Sequence, residues 1–219
     1  MDLLREALPG DHIWWRVADP AWSDPLDASF AGRSGGRWNP PDSFPVLYLN
    51  EDRMTARLNL RAFIEDWPYE PEDLRDDTAP ALVGGVLPGR QIVCEAHSSA
   101  GLRAAGLPAT YPLDEAGGIV PHARCQPIGV QARAASLRGV HARSARSRDG
   151  SGRELAWFPA AARSRARPVA TLALSEWFWS SDDPPGTGTR DVAEADTEAA
   201  RRLLRRSGGE PPAPKDRIP

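Results

Sequence analysis

The stretch Gly35-Gly36-Arg37-Trp38-Asn39-Pro40-Pro41, followed by Val46-Leu47-Tyr48-Leu49 and then Asn50-Glu51-Asp52, organises the reading of this 219-residue chain. Two glycines free the backbone to turn and two prolines stiffen it again, so one guanidinium and one indole are set beside a constrained loop. Val46 to Leu49 is β-branched and aromatic and is bounded by turn residues, which predicts a strand. A helix is expected at once behind it. Asn50 reads as its N-cap, Glu51 and Asp52 place negative charge at the positive end of the helix dipole, and Ala56, Leu60, Phe63 and Ile64 recur at helical spacing.

On the N-terminal side, residues 1 to 11 read as a short helix closed by a Pro9-Gly10 turn, and His12 to Val17 as a strand. Alternation puts Trp14 and Arg16 on one face of that strand and Trp15 and Val17 on the other. Pattern alone makes Arg16 a surface arginine stacked on Trp14. Asp19 to Ser34, rich in Asp, Pro, Ser and Gly, reads as a loop.

On the C-terminal side, Trp67 to Ala79 reads as a solvated connector. Ala81 to Val86 and Arg90 to Cys94 read as strands joined by the turn Leu87-Pro88-Gly89. Residues 97 to 124 are loop-like. A helix is expected from Gln126 to Arg138, stopped by Gly139, and a strand from Val140 then delivers Ser144. A turn through Asp149, Gly150 and Gly152 leads to the returning strand Leu155 to Phe158, and Val169 to Trp179 is a last core-forming run. From Ser180 onward Pro, Gly and Asp dominate, with an amphipathic helix from Asp191 to Arg206. The organisation is thus one domain, 1–179, and a tail, 180–219.

Composition narrows the function classes. With 41% hydrophobic and 26% charged residues the chain suits one globular domain. No run approaches about eighteen consecutive apolar residues, and acidic Asp2 and Glu6 stand where a signal peptide would be basic, so a cytoplasmic protein without a membrane span is expected. Cys94 and Cys125 have neither metal-ligand spacing nor the density of a disulfide framework, and they read as reduced structural thiols. His97 and His122 stand alone, without ligand spacing, and read as surface or structural; no metal centre is predicted. The net charge of −3 offers no general attraction to nucleic acid. Nine arginines between Arg133 and Arg167 lack an interleaved aromatic platform and read as a solvated face, with nucleic-acid binding the lesser alternative.

The run Gly35-Gly36-Arg37-Trp38-Asn39-Pro40-Pro41, Val46-Leu47-Tyr48-Leu49 and Thr55-Ala56 resembles the core signature of the RES domain family. His12 to Val17 looks like its opening arginine segment, and Gly139-Val140 with Ser144-Ala145-Arg146 looks like its closing serine segment. The resemblance spans roughly residues 10 to 160 and implies an α+β fold similar to ADP-ribosyltransferases, a mixed sheet with flanking helices. It also implies a toxin of a toxin-antitoxin pair that breaks the nicotinamide–ribose bond of NAD+ by hydrolysis or phosphorolysis. NAD+ is then substrate and no cofactor is expected. The implied partner is an Xre-like antitoxin, and self-association is compatible with the family.

Carried onto this chain, the resemblance implies that Arg16, Arg37, Trp38, Asn39, Tyr48 and Ser144 bind NAD+, with Arg37, Ser144 and Asn59 at the reacting centre. A planar, permanently charged guanidinium such as Arg37 suits phosphate oxygens, although a cation-π partner for Trp38 fits the same residue. Tyr48 would pack near nicotinamide; a core tyrosine fits equally. Ser144 would reach the pocket, or only close a polar turn. Asn59 stands where the family has a glutamate. It can orient ribose hydroxyls but carries no charge, and on its helix it flanks the apolar stripe. The two readings are therefore an NAD+-degrading enzyme altered around Asn59, and a RES fold that keeps a nucleotide pocket or an interaction role without the reaction.

Overall fold

Short strands with alternating apolar side chains build one mixed eight-stranded sheet, in the order β1-β5-β6-β7-β3-β2-β4-β8. In this computed structural model the described residues are 2–65, 71–160 and 165–179. The strands are β1 (Arg5–Leu8), β2 (Ile13–Ala18), β3 (Leu47–Asn50), β4 (Ala81–Val86), β5 (Gln91–Ala96), β6 (Gly139–Arg143), β7 (Arg153–Trp157) and β8 (Arg167–Leu172). The helices are α1 (Ser29–Ser34), α2 (Arg53–Ile64), α3 (Ser99–Ala104), α4 (His122–Ala134) and α5 (Leu174–Trp177). All neighbouring strands are antiparallel except β5 and β6, whose parallel pairing requires the long α3–α4 crossover between them. No helix among the described residues is long and apolar enough to cross a membrane.

Strand register decides which side chains meet. Trp15 pairs with Asn50, Asn50 with Glu154, and Tyr48 with Ala156, so Trp15, Tyr48, Asn50, Glu154 and Ala156 share a face. On that face α2 buries Ala56, Leu60 and Ile64 against Trp15 and Val17, while α4 buries Cys125, Ile128 and Ala132 against Val140, Ala142 and Ala156. Two apolar clusters result, with polar side chains between them. The opposite face carries Trp14, Ala18, Leu47, Leu49, Val83, Leu155 and Trp157. Truncating a fully buried anchor such as Leu60 to alanine is expected to cost about 2–5 kcal/mol.

Several local expectations are corrected. The N-terminal segment is a strand, not a helix, because Arg5 to Leu8 complete the sheet edge beside β5. Asn50 belongs to β3, and α2 is capped by Asp52, whose Oδ1 accepts from the Thr55 amide at 2.6 Å. β4 and β5 follow one another yet do not pair; they lie towards opposite ends of the sheet. The loop-like region contains α3, capped by the Ser98 hydroxyl, and α4 begins at His122, before Gln126. The expected hairpin is present, with Arg143 opposite Arg153. Both cysteines are free and buried. The expected Asp191–Arg206 helix lies outside the described residues.

Candidate active site

The polar gap between the two clusters is lined from β3, α2, α4, β7 and the turn after β6. Ser144 is delivered by β6, as expected, and is fully buried. Its hydroxyl donates to Glu154 Oε1 and accepts from the Arg146 amide at 3.1 Å. The Asn59 amide donates to the same Glu154 oxygen at 3.0 Å and also to Asn50 Oδ1. Asn50 is in turn anchored by donating to the Trp15 carbonyl at 3.1 Å. Both donors to Glu154 use Oε1, so among the described residues Oε2 has no protein donor.

Glu154 is the group that sequence reading passes over. Asn59 has no charge, but the strand facing it supplies a carboxylate at hydrogen-bond distance. The signal is present in the chain: a hairpin turning through residues 149–152 returns residue 154 beside Ser144, and alternation along β7 sets Glu154 apart from buried Leu155 and Trp157. The expected strand, starting at Leu155, begins one residue too late to include it.

Arg37 reaches the gap from the glycine loop. Its guanidinium donates to the Val120 carbonyl at 2.6 Å, just before α4, and approaches Cys125 Sγ at 3.8 Å. Burial opposes its charge, but Tyr111, Cys125 and Glu154 together hold its pKa above the ordinary arginine value. His122, the first residue of α4, is pushed the other way: burial, then Arg37 and Arg146, lower its pKa. Two guanidiniums and an imidazole thus lie near one helix N-terminus, an arrangement suited to phosphate oxygens. Burial raises the Cys125 pKa, opposed by Arg37, so the thiol stays protonated there.

Tyr48 is half-buried at the floor. Its hydroxyl donates to Asn39 Oδ1 and accepts from the Trp38 amide, both at 2.9 Å, and burial raises its pKa further from neutrality. The hydroxyl is thus committed to the loop, which leaves the ring as the surface it can offer a ligand. Gly36 is required here, since an added Cβ would lie 2.5 Å from the Tyr48 oxygen.

Three expected contacts are placed differently. Trp38 is 1% exposed and Asn39 is wholly buried; Trp38 packs near Tyr111, and Asn39 donates to the Ala31 and Pro40 carbonyls. Both shape the loop that presents Arg37 and that holds the Tyr48 hydroxyl of β3. Arg16 lies on the other face of the sheet, because it pairs with Val83 and alternates with Trp15. There its guanidinium donates to the Asp27 carbonyl at 3.1 Å and stands 5.1 Å from the centre of the Trp22 ring. Burial lowers its pKa to about 10, partly offset by Asp27 and Asp24. The ring it stacks on is therefore Trp22 and not Trp14, and it stands across the sheet from Arg37.

A model of the family described as the RES domain matches residues 13–179. Among solved structures, a chain in the crystal structure of the M. tuberculosis MbcT-MbcA toxin-antitoxin complex is similar in fold. Its TM-score is 0.58 at 19% identity, over 80% of this chain and 92% of that one. At this identity the likeness concerns the fold. No curated protein sequence matches the chain.

Proposed function

The chain belongs to the RES domain family, and from that premise we propose that it cleaves the nicotinamide–ribose bond of NAD+, with Glu154 supplying the carboxylate that Asn59 lacks. The observation that carries this reading is the convergence of Asn59 and Ser144 on one oxygen of Glu154. Nicotinamide leaves as a neutral molecule, taking the C–N electron pair, so no strong acid is needed. What the site must supply is binding, orientation and negative charge beside an oxocarbenium-like centre. Glu154, oriented through Oε1, keeps Oε2 for that centre or for a ribose hydroxyl. Arg37 and Arg146, with the α4 N-terminus, would hold the pyrophosphate, and the Tyr48 ring would pack against nicotinamide. Water or phosphate then bonds to the ribose carbon, releasing ADP-ribose or its phosphorylated form.

The similar solved chain comes from a toxin-antitoxin complex. By analogy this chain is a toxin restrained by an antitoxin protein, of the Xre type implied by its sequence motifs, and it acts in the cytoplasm, where NAD+ is available. The second reading, a nucleotide-binding RES fold without turnover, is favoured by Asn59 alone. The deciding experiment measures nicotinamide release from NAD+ by the purified chain, with and without phosphate, beside Glu154→Gln and Arg37→Ala. Release abolished by Glu154→Gln supports the enzyme. NAD+ binding without release in the natural sequence supports the second reading.

A further inference from the structure

The face of the sheet opposite the NAD+ pocket holds a second cluster of ionisable side chains, assembled from three separate parts of the chain. Glu6 extends from the edge strand β1, His97 from the turn after β5, and His141 from β6. Glu6 Oε2 is 2.8 Å from His141 Nδ1 and 3.3 Å from His97 Nε2, and the three ligand-type atoms all lie within 4.8 Å of one another. A tetrahedral zinc ion with ordinary Zn–N and Zn–O bonds needs ligand atoms about 3.3 Å apart, so modest side-chain adjustment would admit one.

The outer nitrogens of both imidazoles are what point to a metal. His97 Nδ1 is 3.5 Å from Glu95 Oε1, and His141 Nε2 is 3.7 Å from Glu51 Oε1. Metal-bound histidines characteristically direct their second ring nitrogen at a carboxylate, which fixes the tautomer and strengthens the ligand. Here both do. His141 is only 3% exposed and among the described residues its Nε2 has no hydrogen-bond partner, so a buried ring nitrogen is held towards Glu51 without a completed bond. Glu95 is oriented by the His97 and Ser98 amides and the Ser98 hydroxyl. Three carboxylates therefore surround two imidazoles. A nearby cation, Arg143, has its guanidinium spent on the carbonyls of His97, Ala109 and Tyr111. His12 contacts the Glu51 carbonyl and the Trp14 ring, which in turn packs edge-on against His141.

We propose that Glu6, His97 and His141 bind one divalent transition-metal ion, zinc being the best match, with water in the remaining position and Glu51 and Glu95 behind the two histidines. Two neutral nitrogens and one carboxylate suit zinc or a neighbouring first-row ion and do not suit calcium or magnesium. Glu6 and His97 remain 30% and 23% exposed in their side chains, which gives the ion a path in and room for the water. The ion would tie the edge strand β1 to β6 across β5. It sits on the far side of the sheet from Glu154 and is a structural clamp, not a participant in NAD+ cleavage.

The test uses the full-length chain without an affinity tag, stripped with chelator. Zn2+ is titrated against a chromogenic chelator, and Co2+ is added separately for visible absorption. One equivalent should bind, with the Co2+ bands of a four- or five-coordinate nitrogen–oxygen site and a raised unfolding midpoint. Glu6→Gln and His97→Ala should each weaken binding by about 100-fold or more, and Glu51→Gln by about tenfold. His12→Ala should leave affinity unchanged. Circular dichroism establishes that the variants fold, and the partial exposure of Glu6 and His97 keeps them usable if His141→Ala does not fold. Absence of stoichiometric binding, or affinity unchanged in folded Glu6→Gln and His97→Ala, would overturn the site and leave a hydrogen-bonded His–Glu–His group.

Discussion

The Asn59 side-chain amide, on helix α2, donates to the Glu154 carboxylate, on strand β7, at 3.0 Å. In the proposed reaction, the carboxylate that the loop–strand–helix motif leads one to seek on the helix is carried instead by the strand beside it. If the charge and not its point of attachment matters, it should be movable. The double variant Asn59→Glu with Glu154→Asn is expected to retain nicotinamide release, while Glu154→Asn alone loses it. A double variant as inactive as the single would show that attachment at Glu154 is essential.

Arg37 and Arg16 should separate cleanly in kinetics. Arg37→Ala removes the guanidinium from the α4 N-terminus and is expected to raise the KM for NAD+ at least tenfold, a loss of about 1.4 kcal/mol or more. Arg16→Ala acts on the opposite face. It strips the Asp27 carbonyl of a buried donor and Trp22 of its cation, so it should cost about 1–3 kcal/mol of stability with KM unchanged. Denaturant unfolding alongside steady-state kinetics checks both.

Gly129 lets α4 approach the Gly35–Pro41 loop. An added Cβ would overlap the Trp38 carbonyl oxygen, a backbone atom that cannot simply rotate away. Gly129→Ala is therefore expected to destabilise by about 3 kcal/mol or more and to displace Arg37, lowering both the unfolding midpoint and NAD+ affinity. A folded variant with native affinity would contradict the close approach.

Glu6 predicts a window of acid sensitivity. Hydrogen bonds from His141 and His97 lower its pKa from 4.5 to about 2, against the effect of burial. A carboxylate lowered on folding stabilises the native state above its unfolded value, and that contribution disappears as pH falls through the folded value. With chelator present, wild type should exceed Glu6→Gln in stability at neutral pH, and the gap should close between about pH 4.5 and 2. A gap independent of pH in this window would refute the assignment.

Much of this is legible in sequence because it is local. The alternation of Trp14, Trp15, Arg16 and Val17, the turn before β7 and the apolar stripe of α2 are short-range patterns, and they place β2, β3, α2 and the β6–β7 hairpin. The N-terminal segment is the counter-example: Arg5 to Leu8 form a strand because β5 offers an open edge, which no local pattern reveals. The β4 and β5 strands show the same limit, adjacent in sequence but placed towards opposite ends of the sheet. Around the candidate site, Arg37, Tyr48, Asn59 and Ser144 are singled out by motif, whereas the position of Glu154 and the face occupied by Arg16 depend on register. The Glu6, His97 and His141 group has no sequence spacing at all, since β1, β5 and β6 become neighbours only in the sheet.

The most direct measurement is nicotinamide release from NAD+ by the purified wild-type chain beside Glu154→Gln, with fold checked by circular dichroism. Wild-type turnover reduced on the order of 100-fold or more in Glu154→Gln is the predicted result, since the substitution removes charge at the proposed reacting centre while keeping shape. Equal turnover in the two proteins, or none in the wild type, would contradict the role assigned to Glu154.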